Sequence, residues 1–250
     1  MYEDEKNKKK NSDTEKKETG RDSGGKPCSA QDIADCNVIR EPPSAYGNQA
    51  SRKENEEPLF GEYGSYGPYT IEDYMALPED LKVELIDGTF YEILAPTTIH
   101  QAVGGYIYKI LLDHVLANKG PCMPFVAPVD VQLDEDDKTM VQPDVLIVCD
   151  RKRFQHGRVF GAPDFLVEVL SPSTRKKDMQ YKLHKYGRAG VREYWIVDPK
   201  KKNVIVYDLE HDAFPVIYGE NDVVPVRIWD GKCQVEFSQL FSFIAFLYDL

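Results

Sequence analysis

Val141-Gln-Pro-Asp-Val-Leu-Ile-Val148 and Phe165-Leu-Val-Glu-Val-Leu170 are the two stretches that decide which fold the sequence predicts. Residues 145 to 148 are apolar without a break, the pattern of a strand covered on both faces. Each stretch also carries one acid, Asp144 or Glu168. An acid in such a strand must be paired, protonated or bound to a cation. Two acids on neighbouring strands would form an oxygen-rich site suited to Mg²⁺ or Mn²⁺.

A structural interpretation of the same two acids is equally open at this point. Asp144 could simply end a turn after Pro143, and Glu168 could pair with an arginine. The strand pattern alone favours neither interpretation.

Lys182 shifts the balance towards a metal site. The segment that follows Glu168 carries an apolar stripe at helical spacing, formed by Met179, Leu183 and Tyr186. Lys182 lies three residues after Met179 and four before Tyr186, so its side chain points inward with the stripe. An inward lysine needs an anionic partner, which two carboxylates at the ends of adjacent strands would supply. The alternative is that its long stem snorkels to solvent.

Helices are predicted on both sides of these strands in the sequence. Thr70-Ile-Glu-Asp73 resembles a capping box that begins a short helix. Apolar periodicity predicts a long amphipathic helix over residues 98–118 and a second helix over 176–189, with Thr174 as the cap of the second. A C-terminal helix is predicted to begin at Ser238.

The strands complete the predicted fold. Asp87-Gly88 indicates a tight hairpin, because both positions tolerate a positive φ. Apolar patterns predict the following strands: 82–86, 89–94, 123–126, 129–133, 144–148, 165–170, 193–197, 204–209 and short strands near 216 and 226. This order predicts an α/β (α+β) domain in which a central mixed sheet is flanked by helices.

The N-terminal part differs in composition from the rest. Residues 1 to 57 contain 11 Lys/Arg and 13 Asp/Glu with almost no apolar clustering, which predicts a disordered charged tail over residues 1–60 and a folded domain over 61–250. Of the chain's net charge of −11, −9 therefore belongs to the folded part. That sign opposes a large non-specific DNA-binding surface, but it allows a local basic patch beside a metal site.

The five cysteines contain no Cys-x-x-Cys pair, so neither a zinc site nor a disulfide framework is predicted. Cys122 and Cys149 lie in apolar strand-like sequence and are expected to be buried thiols. No apolar run approaches the length of a membrane span. A cytosolic protein with no membrane partner is expected.

Three blocks in a fixed order resemble a known family: Gln142-Pro-Asp144, Gly161-Ala-Pro-Asp-Phe-Leu-Val-Glu168-Val-Leu-Ser-Pro-Ser-Thr174 and Asp178-Met-Gln-Tyr-Lys182-Leu-His-Lys-Tyr186. Together they are similar to the Uma-type restriction endonucleases of the PD-(D/E)XK phosphodiesterase superfamily. Further similar blocks begin at Glu84, Ala127 and Gly190. The resemblance covers about residues 69 to 242.

The resemblance implies a restriction endonuclease-like core that hydrolyses phosphodiester bonds with Mg²⁺ or Mn²⁺. It implies that Asp144 and Glu168 bind the metal, with the Val169 carbonyl as a further ligand and Glu84 as an outer one. The superfamily pattern places its lysine two residues after the glutamate, where this chain has Leu170. The lysine displaced onto the following helix corresponds to Lys182, which would orient the attacking water or stabilise the transition state.

Two further residues are accessory candidates. His100 lies in the first turn of the long helix and could face the cleft, although a histidine satisfied by water is the simpler interpretation. Gln142 could contact the waters of the metal or could be an ordinary side chain at a strand edge.

Three functions are compatible with these residues. The first is a metal-dependent DNA endonuclease that could act as a homodimer, since many enzymes of the superfamily cut two strands as pairs. The second is a catalytically silent binding or regulatory protein on the nuclease scaffold, favoured by Leu170 and the acidic charge. The third is another metal-dependent phosphodiesterase. Fold alone does not choose among them.

Overall fold

The computed structural model describes residues 65–78, 80–133, 137–171 and 177–249. The predicted tail, most of the acidic turn at 134–137 and the Thr174 cap lie outside the described residues. No helix in these ranges is long and apolar enough to cross a membrane.

The first part of the described chain contains β1 (Ser65–Tyr66), α1 (Ile71–Met75), β2 (Val83–Ile86), β3 (Thr89–Glu92) and α2 (Thr98–Asn118). The middle part contains β4 (Met123–Val126), β5 (Val131–Gln132), β6 (Met140–Val141), β7 (Val145–Val148), a 3₁₀ turn (Arg151–Arg153), β8 (Phe154–Gln155), β9 (Arg158–Phe160) and β10 (Phe165–Val169). The last part contains a π-helical segment (Lys177–Lys182), α3 (Leu183–Ala189), β11 (Glu193–Asp198), β12 (Asn203–Asp208), β13 (Val216–Tyr218), β14 (Val223–Pro225), a 3₁₀ turn (Arg227–Trp229), β15 (Gln234–Glu236), α4 (Phe237–Phe243) and a final 3₁₀ segment (Ala245–Asp249).

The strands form two large sheets and a two-stranded ribbon. The central sheet has the order β13-β12-β11-β10-β7-β4, in which only β10 and β11 run parallel. The predicted mixed sheet is therefore confirmed. The second sheet has the order β1-β3-β2-β6-β5-β9-β8, and it was not predicted. Several of its strands are two residues long, too short to show a period of two in the sequence.

Local chemistry sets the boundaries of the first elements. Thr70 and Asp73 form the predicted capping box at the start of α1. Asp87 and Gly88 both have positive φ, 49° and 77°, as the tight turn between β2 and β3 requires. Thr97 caps α2 through its side chain, so this helix has the predicted bounds.

Both faces of the central sheet are covered. Alternate residues such as Val145, Val167 and Trp195 pack on one face against α2. The residues between them, such as Leu146 and Leu166, pack on the other face against α3 and the second sheet. Two-sided burial explains why β7 and β10 are continuous apolar runs.

Cys122 and Cys149 form a disulfide, which corrects the prediction of two free buried thiols. The antiparallel register of β4 and β7 pairs Met123 with Val148, so the two cysteines lie opposite each other just beyond the strands. Their 27-residue separation gives no motif that sequence reading could detect. Disulfides are rare in cytosolic proteins, so this bond opposes the cytosolic location that the sequence analysis expected from the cysteines.

Candidate functional site

Asp144 and Glu168 lie side by side at one end of the β7–β10 pair. The antiparallel register pairs Val145 with Val167, and its next step places Asp144 opposite Glu168. The Val169 backbone N–H donates to Asp144 Oδ2 at 2.7 Å, which fixes the aspartate against the neighbouring strand. The structure thus brings the two predicted carboxylates together.

Glu168 lies on the face of β10 that packs against the second sheet and α3. Its side chain is 4% exposed, and its Oε1 accepts hydrogen bonds from Lys182 Nζ at 2.8 Å and from the Tyr186 hydroxyl at 2.6 Å. Lys182 and Tyr186 are four residues apart, so one helical turn presents both donors to one oxygen. A buried carboxylate of this kind is stable only because it is hydrogen-bonded.

Lys182 connects three elements of the fold. Its ammonium group lies 2.7 Å from Glu84 Oε1 in β2, 2.8 Å from Glu168 Oε1 in β10 and 3.7 Å from Asp178 Oδ1 one turn earlier. The side chain is 3% exposed, so the inward direction predicted for it is the one observed. The snorkelling alternative does not occur.

The buried cluster of Glu84, Glu168, Asp178 and Lys182 contains three carboxyl groups and one ammonium. Burial raises the pKa of Glu168 well above its ordinary value, and the charges of Asp178, Asp144 and Glu84 raise it further against the opposing effect of Lys182. Burial lowers the pKa of Lys182, but the carboxylates outweigh it and raise that pKa well above its usual range. The cluster therefore favours positive charge, supplied by protons or by a cation.

Asp144 is the more accessible of the two strand acids, with 19% of its side chain exposed. His100 Nε2, from the first turn of α2, lies 3.1 Å from Asp144 Oδ2. Burial lowers the pKa of His100, but the hydrogen bond and charge of Asp144 outweigh it, so the pKa is raised above its ordinary value. His100 therefore faces the mouth of the site, where Asp144 favours its protonated form.

Gln142 and Glu84 join the second sheet to the site. The Gln142 backbone N–H donates to Glu84 Oε1 at 2.9 Å. The Gln142 side-chain amide donates to Asp130 Oδ1 at 2.8 Å and to the Tyr74 hydroxyl at 3.0 Å, and that hydroxyl donates to Asp130 at 2.9 Å. The network fixes the Gln142 backbone on Glu84 and its side-chain amide on Asp130 and Tyr74.

The donor set suits a hard divalent cation. The contacts of Glu168 use Oε1 and those of Asp144 use Oδ2, which leaves one oxygen of each without a hydrogen-bond partner among the described residues. No group of three or more His, Cys, Asp or Glu in the described ranges is placed to hold a metal ion. Two carboxylates with water in the remaining positions is the usual arrangement for Mg²⁺, which does not need a complete protein cage.

The sequence model of the Uma2 family, whose description is "Putative restriction endonuclease", matches residues 71–227. The chain belongs to the Uma2 family. A crystal structure described as "a putative nuclease belonging to DUF820 from Anabaena variabilis ATCC 29413" has a TM-score of 0.59 and 22% identity to this Uma2-family chain. The similarity covers 71% of this chain and 99% of the Anabaena chain, and it shows the fold. No curated protein matches.

Sequence reading missed several polar residues of the Uma2-family site. Tyr186 was read as part of an apolar stripe, yet its hydroxyl contacts Glu168. Asp178 was not assigned a role, although its position four residues before Lys182 was a usable signal. Tyr74 and Asp130 meet Gln142 across separations of 68 and 12 residues, which no local pattern could indicate.

Glu193 is a further buried carboxylate, outside the site. It is 1% exposed and accepts hydrogen bonds from Trp195 Nε1 and from the backbone N–H groups of Arg227 and Ile228. Burial raises its pKa to about 7, against the opposing hydrogen bonds. Glu193 thus fastens β11 to the Arg227–Trp229 turn.

The raised pKa of Glu193 predicts that the domain loses stability as the pH rises from about 4.5 to 7. The folded state binds the Glu193 proton more tightly than the unfolded state. The stability that this proton contributes is therefore fully present below pH 4.5 and is lost as the pH rises through 7. The loss is up to about 3 kcal/mol. Urea unfolding at pH 5, 6 and 7 should give a shallower pH slope for Glu193→Gln than for wild type. The exposed-acid control Glu236→Gln should keep the wild-type slope, and equal slopes in all three would refute the assignment.

Proposed function

We propose that this chain is a metal-dependent endonuclease that hydrolyses DNA phosphodiester bonds. The observation that carries the proposal is the cross-strand pair of Asp144 and Glu168 at the end of two otherwise apolar strands. Membership of a family described as restriction endonucleases supports nuclease chemistry. Carboxylates this close are expensive to bury, and a divalent cation would remove that cost.

Asp144, Glu168 and the Val169 carbonyl are the proposed ligands of a Mg²⁺ or Mn²⁺ ion, with Glu84 as an outer residue behind Lys182. The chemistry that such a cation supplies is polarisation of the phosphate and acidification of water. Burial and the charges of Asp178, Asp144 and Glu84 disfavour the ionised form of Glu168, and a cation beside it would oppose that effect, which supports the assignment.

Lys182 and Tyr186 are proposed as positioning residues. Both donate to Glu168 Oε1 and so fix the direction of its second oxygen. Lys182 Nζ is surrounded by Glu84, Glu168 and Asp178, so contact with water or phosphate, as the family pattern implies, requires one of these partners to move. His100 is proposed to pass a proton to the leaving oxygen, since its Nε2 lies 3.1 Å from Asp144 Oδ2 at the mouth of the site.

The partners proposed for this activity are DNA as the substrate and a second copy of the chain. A homodimer fits an enzyme that cuts both strands of a duplex. The cytoplasm is the proposed location, because DNA is accessible there. The second candidate is a catalytically silent binding protein, favoured by Leu170 and by the enclosed ammonium of Lys182. The third, a phosphodiesterase with another substrate, uses the same carboxylates.

Removal of divalent metal is expected to abolish DNA cleavage, because only a cation can compensate the carboxylate cluster while it binds phosphate. Plasmid and single-stranded DNA should be cut in Mg²⁺ or Mn²⁺, should survive in excess EDTA, and should be cut again when Mn²⁺ is restored. Calorimetry should show Mn²⁺ binding to wild type and none to Asp144→Ala with Glu168→Ala.

Three outcomes separate the candidates. Mn²⁺ binding without cleavage of any DNA would favour the silent protein, and cleavage only of a small phosphodiester would favour the third function. Unchanged Mn²⁺ affinity in the double variant would remove the metal site itself. A matched control with two exposed acids replaced, Asp150→Ala with Glu236→Ala, should bind Mn²⁺ like wild type.

A further inference from the structure

A groove of about 560 Å³ opens beside the carboxylate site. Phe125 of β4 and Phe154 of β8 contribute aromatic rings to its wall, and Lys82 and Arg158 contribute cations. Gln142, Pro128 and Asp130 also line it. This volume lies within the range of sites that enclose one small molecule, roughly 300–1,000 Å³.

The groove is adjacent to the proposed metal ligands. Gln142, which lines it, donates through its backbone N–H to Glu84 and precedes Asp144 by two residues. Ala127, whose N–H donates to the Asp144 carbonyl at 2.9 Å, is followed directly by Pro128 in the groove wall. The groove therefore lies next to the segment that carries Asp144, where a strand bound at Asp144 could extend.

The aromatic residues of the groove suit a planar base. The rings of Phe125 and Phe154 have centroids 5.5 Å apart and are tilted by 58°, so they pack against each other and form one aromatic wall of the groove. Both side chains are only half-buried. Stacking on exposed aromatic rings is how proteins bind unpaired bases without needing a particular sequence.

Arg158 supplies an anion-binding group at the same place. Its guanidinium lies 4.8 Å from the centre of the Phe160 ring and donates to Met75 Sδ at 3.2 Å. Its Nε is buried without a hydrogen-bond partner, and it forms no ion pair with a carboxylate among the described residues. The buried Nε is out of reach of a ligand, but the positive charge of this partly exposed guanidinium favours a phosphate oxygen in the groove.

We propose that this groove binds one unpaired nucleotide of the DNA strand next to the bond that is cleaved. The base stacks on the side of the Phe125–Phe154 pair that lines the groove, and Arg158 with Lys82 contacts the phosphate. A base inside a duplex is stacked on its neighbours and cannot present its face to the rings, and a net charge of −11 gives little attraction for a whole duplex. The proposal rests on the proposed function and specifies its substrate as single-stranded or locally unpaired DNA.

Binding of fluorescein-labelled oligo-dT and of a duplex of equal length, measured by anisotropy in EDTA, tests the groove without cleavage. The single strand should bind at least roughly tenfold more tightly. Phe154→Leu keeps the apolar packing but removes the stacking surface, and it should weaken single-strand binding roughly tenfold. Arg158→Gln should weaken it and lower the salt dependence by about one counterion. Phe214→Leu, at an exposed phenylalanine outside the groove, should bind like wild type.

Equal affinities for the single strand and the duplex would overturn the proposal. So would unchanged binding in both Phe154→Leu and Arg158→Gln, with folding verified by thermal unfolding. If single-strand binding depends on Phe154 while no DNA is cut in Mn²⁺, the groove stands and the nuclease function fails. If duplex DNA is cut and Phe154→Leu changes nothing, the nuclease function stands and the groove fails.

Discussion

Asp144→Asn is expected to reduce the rate of DNA cleavage by at least about 100-fold while the domain stays folded. Replacement of residues that only support metal ligands commonly costs about 10- to 100-fold, so loss of a ligand's charge should cost no less. Asparagine keeps the size of the side chain, and its oxygen can still accept the Val169 N–H that now binds Asp144 at 2.7 Å. The initial rate of cleavage of a labelled single strand in Mn²⁺ measures the effect.

Asp164→Asn is the matched control for this variant. Asp164 precedes β10 at the opposite end of the same strand pair, and it also accepts a backbone N–H, from Cys149 at 2.8 Å. Its side chain is 17% exposed, close to the 19% of Asp144. Cleavage should be unchanged in this control. Similar losses in both variants would mean that Asp144 acts on the strand pair and not on a metal.

The carboxylate pair and the inward lysine were predictable because local patterns encode them. A charged residue inside an apolar strand stands out, and a helical stripe gives the direction of Lys182 without knowledge of the fold. The same stripe concealed Tyr186, because hydrophobic periodicity shows only that a side chain is inward and not whether its hydroxyl has a partner.

The contacts between distant segments could not be read from local patterns. Glu84 meets Lys182 only because the second sheet packs on the face of β10 that carries Glu168. That sheet depends on two-residue strands such as β5 and β6, whose pairing is set by tertiary packing and not by propensity. The Cys122–Cys149 disulfide likewise follows from a strand register.

Lys182→Met is expected to destabilise the domain by about 3–5 kcal/mol, the usual cost of removing one partner of a buried ion pair. Methionine fills a similar volume, but Glu84, Glu168 and Asp178 would lose the ammonium that lies 2.7, 2.8 and 3.7 Å from them. Because folded domains have only about 5–15 kcal/mol of stability, much of this variant should be unfolded in mild urea. Lys109→Met, at an exposed lysine paired with Asp113, should change urea unfolding little.

The charge explanation for this loss can be separated from a packing explanation. In Lys182→Met the buried carboxyl groups can regain neutrality only by binding protons, so the deficit in unfolding free energy should shrink from pH 8 to pH 5. Lys182→Met with Glu84→Gln removes one of the charges and retains an acceptor for the Gln142 N–H, so it should recover part of the stability. A deficit that is independent of pH and unchanged in the double variant would mean that Lys182 contributes by packing its stem, with the carboxylates already neutral around it.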